Sequence, residues 1–421
     1  MSASTPQATS PAAAPRAPLR PLDEVLADLL GHAAPLAGTD TVSTFEADGR
    51  VLAQDLVSAL QVPPQDNSAM DGYAVRVADL ATAAGQPLAV SQRIPAGSTG
   101  TALAPGSVAR IFTGAPVPPG ADAVVMQEEA QPAGEGRVSF AAPPPLGQHI
   151  RRAGEDIRLG SVVLARGQRL DAASLGLAAS MGLAGLPVAR RPRVALFSTG
   201  DELVLPGDVP PEQMKPGAIY NANRFFLRAL LRRLGCEVTD LGVVPDRLDA
   251  TVQALRGAAQ AHDLIVTSGG VSVGEEDHVK PAVQQLGSLD LWQLAIKPGK
   301  PFAYGRVGAA HFIGLPGNPV SSFVTYLLLV RPFILKLQGA TALSVPAAAA
   351  RADFAWPRAD RRREFVRVRR NAAGGLDLFA NQSSGVLTSM VWGDGLVDIA
   401  PGRTIAPGDT VPFISLTELM A

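Results

Sequence analysis

The chain has 421 residues, enough for about two to four domains of roughly 150 residues each. Hydrophobic residues make up 47% and charged residues 18%, which excludes a chain disordered throughout, and a net charge of −1 argues against a protein built to coat nucleic acid. A single cysteine, Cys236, excludes an internal disulfide framework, and five scattered histidines with no pair at zinc-ligand spacing argue against a histidine-bound transition metal.

Residues 1–19 are rich in Ala, Pro, Ser and Thr and have no continuous apolar core, so they read as a disordered tail rather than a signal peptide. Leu22, Val25, Leu26, Leu29 and Leu30 fall at helical spacing between Pro21 and Gly31, which predicts a short amphipathic helix. It belongs to an elongated linking domain made of residues 20–60 and 147–191, where Asp171 is a good N-cap for a helix to about Met181. Between them, residues 61–146 alternate short β-prone runs with Pro and Gly turns, as a β-rich domain does.

From Arg193 the pattern becomes βαβ. Strands are expected at 194–197, 238–243, 263–266, 291–295 and 312–314, with helices at 222–234, 248–259 and 319–337. Strands alternating with helices imply a parallel sheet over residues 192–340. The apolar run 323–335 is broken by Arg331-Pro332, and no run reaches the roughly 18 residues of a membrane span. Residues 341–421 lose the helical period and alternate around Glu364-Phe365-Val366-Arg367-Val368-Arg369, which indicates a C-terminal β domain. The fold class is therefore α/β multidomain, and the expected location is the cytoplasm.

Open parallel sheets bind ligands at the carboxyl ends of their strands, and three strand-following loops have unusual compositions. Ser198-Thr199-Gly200-Asp201-Glu202 puts adjacent acids after a buried strand, suited to a metal or a ligand hydroxyl, or equally to a helix N-terminus. Ser268-Gly269-Gly270-Val271-Ser272-Val273-Gly274-Glu275-Glu276-Asp277 joins a nest of backbone donors to three acids, a mixture that suggests a Mg²⁺-bridged phosphate. Gly314-Leu315-Pro316-Gly317-Asn318-Pro319-Val320-Ser321-Ser322 sets a cap and a first-turn proline over two serines, an anion site or a plain structural cap. Only five lysines occur among 37 basic residues, and Lys297 and Lys300 lie between the second and third loops on a proline-stiffened turn. A compact ammonium there suits an oxyanion better than a planar guanidinium does.

Several of these segments, in order, resemble one family. Residues 64–76 (PQDNSAMDGYAVR), Thr113-Gly114-Ala115-Pro116-Val117-Pro118, Arg152-Ala153-Gly154-Glu155-Asp156, 197–203, 268–277, 296–301 and 314–321 are similar to the molybdopterin molybdenumtransferases of the MoeA family, which includes the gephyrin E domain. The resemblance runs from about position 20 to the end. It implies that adenylylated molybdopterin and molybdate give molybdenum cofactor and AMP with Mg²⁺ assistance, and that residues 192–340 bind molybdopterin. Matched by motif position, the functional groups it implies are Asp71, Thr113, Asp156, Glu202, Asp246, Asp277, Lys297 and Lys300, with Glu202 and Asp277 on the metal. Thr199, Gly200, the Ser268–Gly274 loop and Pro316 to Ser321 would hold phosphate or oxyanion, and Arg367 and Ser384 molybdate. His278 stands where an aromatic is common, and Asn381-Gln382-Ser383-Ser384-Gly385 is a loose form of the family's Gln-Ser stretch. The family likeness further implies a homodimer whose site is shared across subunits, and a separate adenylyltransferase as a possible partner. Adenylylation of molybdopterin and a non-catalytic scaffold role are the alternatives. The segments around Asp71 and Thr113, absent from isolated adenylylating domains, and the retained acids and lysines favour molybdate insertion.

Overall fold

A computed structural model of the chain describes residues 18–270 and 278–420. Its centre is a six-stranded sheet in the order Glu237–Val244, Arg193–Thr199, Leu264–Ser268, Ala310–Leu315, Pro301–Val307, Gly287–Gln293. The first four strands run parallel, as the alternation of strands and helices predicts. Residues 194–199 and 264–268 are buried at every position, the mark of strands covered on both faces. Leu227, Leu230 and Leu231 of the helix Ala222–Arg233 cover one face, with the helical run 319–337; the helices Leu248–Ala261 and Val279–Leu286 cover the other.

The last two strands add an antiparallel hairpin that the sequence reading does not anticipate. Residues 294–300 are too few for a parallel crossover, which takes roughly a dozen or more residues, so the chain folds straight back. The strand Pro301–Val307 was hidden by its approach, Lys297-Pro298-Gly299-Lys300, which reads as a turn.

Pro319–Leu337 is the long helix expected there. It is one helical run of 19 residues with mean hydropathy 1.6, long and apolar enough to cross a membrane by length and composition alone. In this fold 83% of its most apolar window is buried, and it packs with Leu22, Val25 and Leu29 of the helix Leu22–Gly31. Pro332 does not break it, because a π-turn at Tyr326–Val330 comes first. Proline has no N–H to offer the ladder, and the wider turn absorbs that loss.

A second six-stranded sheet runs Ala123–Met126, Gly72–Val75, Ser107–Ile111, Leu88–Ile94, Arg137–Phe140, Ala130–Pro132, with apolar clusters on both faces. Gly72 is obligatory there, since a Cβ would lie 2.0 Å from the Val125 carbonyl oxygen. In the linking unit Thr39–Ser43 pairs with Gly185–Ala189, and Asp171 caps the helix Ala172–Ser180 by accepting the Ser174 N–H at 2.8 Å. The C-terminal sheet runs Ile296–Lys297, Arg363–Arg370, Gly395–Ile399, Thr410–Ser415, Ala348–Arg351, so the lysine turn is stitched into it as an edge strand.

His311, 7% exposed on the strand Ala310–Leu315, lies 2.9 Å from the Tyr304 hydroxyl and against the Arg306 guanidinium. Burial, and then Arg306, pulls its pKa from 6.5 down to about 4. The unfolded chain therefore binds a proton that the folded one refuses, and stability falls as pH drops from about 6.5 to about 4, by roughly 3 kcal/mol from this group. Denaturant unfolding of the parent and of His311→Gln at several pH values measures this. The substitution should flatten the slope across that window, and an unchanged slope contradicts the assignment.

Candidate functional site

The sheet reverses its strand order beside Arg193–Thr199. The chain adds Glu237–Val244 on one side, then crosses to Leu264–Ser268 on the other. The crevice at such a reversal is where open α/β sheets bind ligands. Here a cleft of about 470 Å³, within the range of small-molecule sites, is lined by residues of all three loops singled out in the sequence. Thr199 and Glu202 come from the first, Ser268 and Gly269 from the second, and Pro316, Gly317, Asn318, Pro319 and Ser321 from the third.

The glycines are there because the backbone leaves no room for side chains. At Gly270 (φ 67°) a Cβ would meet Val279 Cγ2 at 2.4 Å and Thr199 Oγ1 at 2.9 Å; at Gly200 (φ 140°) it would meet the Glu202 carboxylate. The first loop does not open a helix. It turns into the short strand Leu203–Val204, which pairs in parallel with Ile219–Tyr220, and the helix begins only at Ala222. Glu202 is thus an exposed carboxylate on the cleft lining, with no helix dipole to complement.

Asn318 takes the N-cap place and Pro319 the first helical one, as expected, but the Asn318 side chain makes no cap hydrogen bond. Its carbonyl oxygen accepts the Ser322 N–H at 2.9 Å instead, and the carboxamide is left on the cleft lining.

Two residues that shape the cleft were missed. Asn223, 9% exposed, donates from Nδ2 to Ser268 Oγ and to the Gly317 carbonyl, both at 2.7 Å, and so ties the second and third loops to one helix. Asn221 caps that helix by accepting the Arg224 N–H at 3.2 Å. Its own Nδ2 is buried with no acceptor among the described residues, an omission that costs about 1–3 kcal/mol. Asn221 precedes a predicted helix and is a favoured cap type, a usable signal; nothing in the spacing marks Asn223.

The C-terminal sheet backs the third loop. The Ser384 carbonyl accepts the Val320 N–H at 2.9 Å, and Gln382 exchanges two 2.9 Å hydrogen bonds with the Arg367 backbone. The Arg367 guanidinium, 1% exposed, donates to Ser389 Oγ at 3.1 Å and to the Phe365 and Ser383 carbonyls at 3.3 Å, neutral partners all. Burial draws its pKa down to about 10.

The two lysines part company. Lys297 Nζ lies 2.8 Å from Glu364 Oε1 and 3.8 Å from Asp360, so its charge is met by the C-terminal sheet; it is not on the cleft lining. Pairing of Ile296–Lys297 with Arg363–Glu364 carries the Lys297 ammonium to the buried Glu364. Lys300, likewise off the lining itself, is half-buried beside the lining residue Pro301, and among the described residues it has no carboxylate in ion-pair reach.

In the β-rich sheet Asp71 and Thr113 meet as the motifs imply. The carboxylate accepts the Thr113 N–H at 2.7 Å and Oγ1 at 2.8 Å, which holds it below its ordinary range. Asp66 accepts from the Ala153 N–H at 2.9 Å and Arg152 at 2.6 Å, joining the 64–76 and 152–156 motifs, with Asp156 exposed close by. None of these lines the cleft of the same chain, and neither does Asp246, which follows the end of Glu237–Val244. Asp277, Ser272 and Gly274 lie outside the described residues. Among the described residues no group of three or more His, Cys, Asp or Glu is placed to hold a metal. One carboxylate on a phosphate-type cleft suits a Mg²⁺ that draws most of its ligands from phosphate and water, not a cage built by protein alone.

Fold and cleft together define a multidomain α/β protein with a polar crevice at the strand ends of its central sheet. Three family models match in chain order: the MoeA N-terminal region (domain I and II) over residues 20–182, a probable molybdopterin binding domain over 195–336, and the MoeA C-terminal region (domain IV) over 349–416. A molybdopterin molybdenumtransferase of Haemophilus influenzae is 46% identical over 302 residues, 72% of this chain and 73% of that one. Molybdopterin molybdenumtransferase 2 of Mycobacterium tuberculosis is 38% identical over 411 residues, 94% and 96% of the two chains. The crystal structure of the molybdopterin biosynthesis MoeA protein from Pyrococcus horikoshii OT3 aligns with a TM-score of 0.82 at 29% identity, covering 94% of this chain and all of that one. The chain belongs to the molybdopterin molybdenumtransferase (MoeA) family.

Lys297→Ala should act on stability. It leaves the nearly buried Glu364 with Trp356 Nε1 as its remaining polar partner, at a cost of about 1–3 kcal/mol, less than for a fully buried pair because the Lys297 side chain is 44% exposed. The melting temperature should drop, and Lys297→Ala with Glu364→Gln should recover part of the loss. A parental melting temperature in Lys297→Ala would show the pair to be idle.

Proposed function

We propose that this protein inserts molybdate into adenylylated molybdopterin, breaking its pyrophosphate linkage to release AMP and leave molybdenum cofactor. The observation that carries the reading is the convergence of three donor-rich loops on one cleft at the strand reversal, in a chain whose relatives are named molybdopterin molybdenumtransferases. Ser268 and Ser321 hydroxyls and the Asn318 carboxamide form the kind of concave donor surface that takes phosphate oxygens.

Molybdate is a dianion that must sit beside a negative pyrophosphate. Unscreened like charges a few ångströms apart repel by roughly 1 kcal/mol in water and several times that in a partly dry cleft. On this reading Lys300 offsets that repulsion, and Arg367 and Ser384 approach the anion from the C-terminal sheet; the Ser384–Val320 hydrogen bond supports their nearness to the cleft. Mg²⁺, held by Glu202 and Asp277 together with ligand phosphate, would supply Lewis-acid stabilisation of the leaving oxygen.

Asp71, Thr113 and Asp156 enter the proposal through a homodimer, in which the β-rich sheet of one subunit closes the cleft of the other. Their absence from the cleft lining of their own chain supports that arrangement. The protein would act in the cytoplasm on adenylylated molybdopterin supplied by a separate, ATP-using adenylyltransferase.

AMP release from adenylylated molybdopterin with added molybdate tests the chemistry. Glu202→Ala and Asp277→Ala should each lose nearly all turnover while melting like the parent, since loop acids carry little packing; normal AMP release by both would refute the metal assignment. For the shared site, Asp71→Ala and Glu202→Ala are co-expressed and the mixed dimer isolated. One of its two sites is then intact, so about half the parental rate should return. If the mixed dimer is as inactive as its parents, each chain builds its site alone.

A further inference from the structure

Only half of the Asn221 carboxamide serves the helix it opens. Oδ1 accepts the Arg224 N–H, which also fixes the orientation of the amide: turned over, it would set NH₂ against that N–H. Nδ2 remains, a buried donor without an acceptor among the described residues, on a residue 2% exposed that lines the cleft. Buried donors in this condition are rare in folded proteins. The adjacent Asn223 shows the contrast, since its Nδ2 finds two acceptors at 2.7 Å.

A second set of donors lies at the same end. Helix geometry leaves the Ala222 and Asn223 N–H groups without partners inside the 12-residue helix, whose positive pole lies there too, and both residues line the cleft. A ring carbonyl satisfies one or two donors, whereas a phosphoryl group, with several acceptor oxygens, can meet all three.

We propose that Asn221 is a ligand-binding residue of the cleft, its Nδ2 and the Ala222 and Asn223 N–H groups forming a phosphoryl subsite distinct from the glycine-rich loop. The inference rests on the function proposed above and deepens it, assigning a phosphate oxygen of the adenylylated substrate to this helix. Glu202 shares the lining, so the subsite also supplies positive potential next to a carboxylate that a phosphate would otherwise meet unshielded.

Asn221→Ser and Asn221→Asp each keep an oxygen for the Arg224 N–H and remove the free donor, and both residue types are good caps. Calorimetric titration of the full chain with AMP, adenosine and inorganic pyrophosphate reads the effect. The parent should bind AMP more tightly than adenosine. Asn221→Ser should weaken AMP and pyrophosphate about tenfold and leave adenosine unchanged, and Asn221→Asp should weaken them further, by setting a carboxylate against the phosphate. Asn221→Ser, which keeps the cap and removes the unpaired donor, should melt no lower than the parent. Parental AMP affinity in both variants overturns the role of Asn221 and leaves the proposed function standing. An equal loss for adenosine and AMP overturns the phosphoryl assignment. A parent that binds neither AMP nor pyrophosphate overturns both this inference and the reading of the cleft.

Discussion

One carboxamide holds the cleft in shape. By donating to both Ser268 Oγ and the Gly317 carbonyl, Asn223 locks the ends of two neighbouring parallel strands to the start of the helix that covers them. The glycines on either side work only within that frame. Gly200 leaves room for the Glu202 carboxylate, and Gly270 fits between Val279 and Thr199 with no space for a methyl group. Donor directions in the cleft are set before any ligand arrives, so a bound anion need not order them and the entropy of doing so is saved.

The C-terminal sheet is tied to this frame at two points. Lys297 reaches Glu364 beside the strand pairing of Ile296–Lys297 with Arg363–Glu364, and Ser384 caps the Val320 N–H at the start of the core helix. The turn carrying Lys300 is thereby held against both sheets. Of two lysines three positions apart, one secures the seam and the other keeps its ammonium free of carboxylates among the described residues. Arg367 shows the same economy of charge, a guanidinium buried among neutral oxygens that keeps its unmatched positive charge close to the loop that Ser384 touches.

Much of this was legible in the sequence because it rests on local patterns. Valine- and leucine-rich runs bounded by Gly and Pro marked the parallel strands, Asp171 announced its helix, and the motifs around Asp71 and Thr113 forecast a pair that meets at 2.7 and 2.8 Å. What escaped depends on contacts distant in sequence. Asn223 acquires its role from partners 45 and 94 residues away, and Lys297 from a carboxylate 67 residues downstream. The strand Pro301–Val307 was obscured by a proline-rich approach. Periodicity reports which face of an element is apolar; it is silent about which loops a buried amide will join.

The central claim is that the crevice at the strand reversal receives the adenylylated substrate, with its phosphates on the donors of the three loops and molybdate toward Lys300. A crystal structure with AMP and molybdate tests it most directly. The account predicts the AMP phosphate within hydrogen-bond distance of Asn221, Ser268, Asn318 or Ser321, and the molybdate oxygens between Lys300 and the Ser384 segment. AMP bound outside that crevice, or molybdate seated away from Lys300, would contradict it.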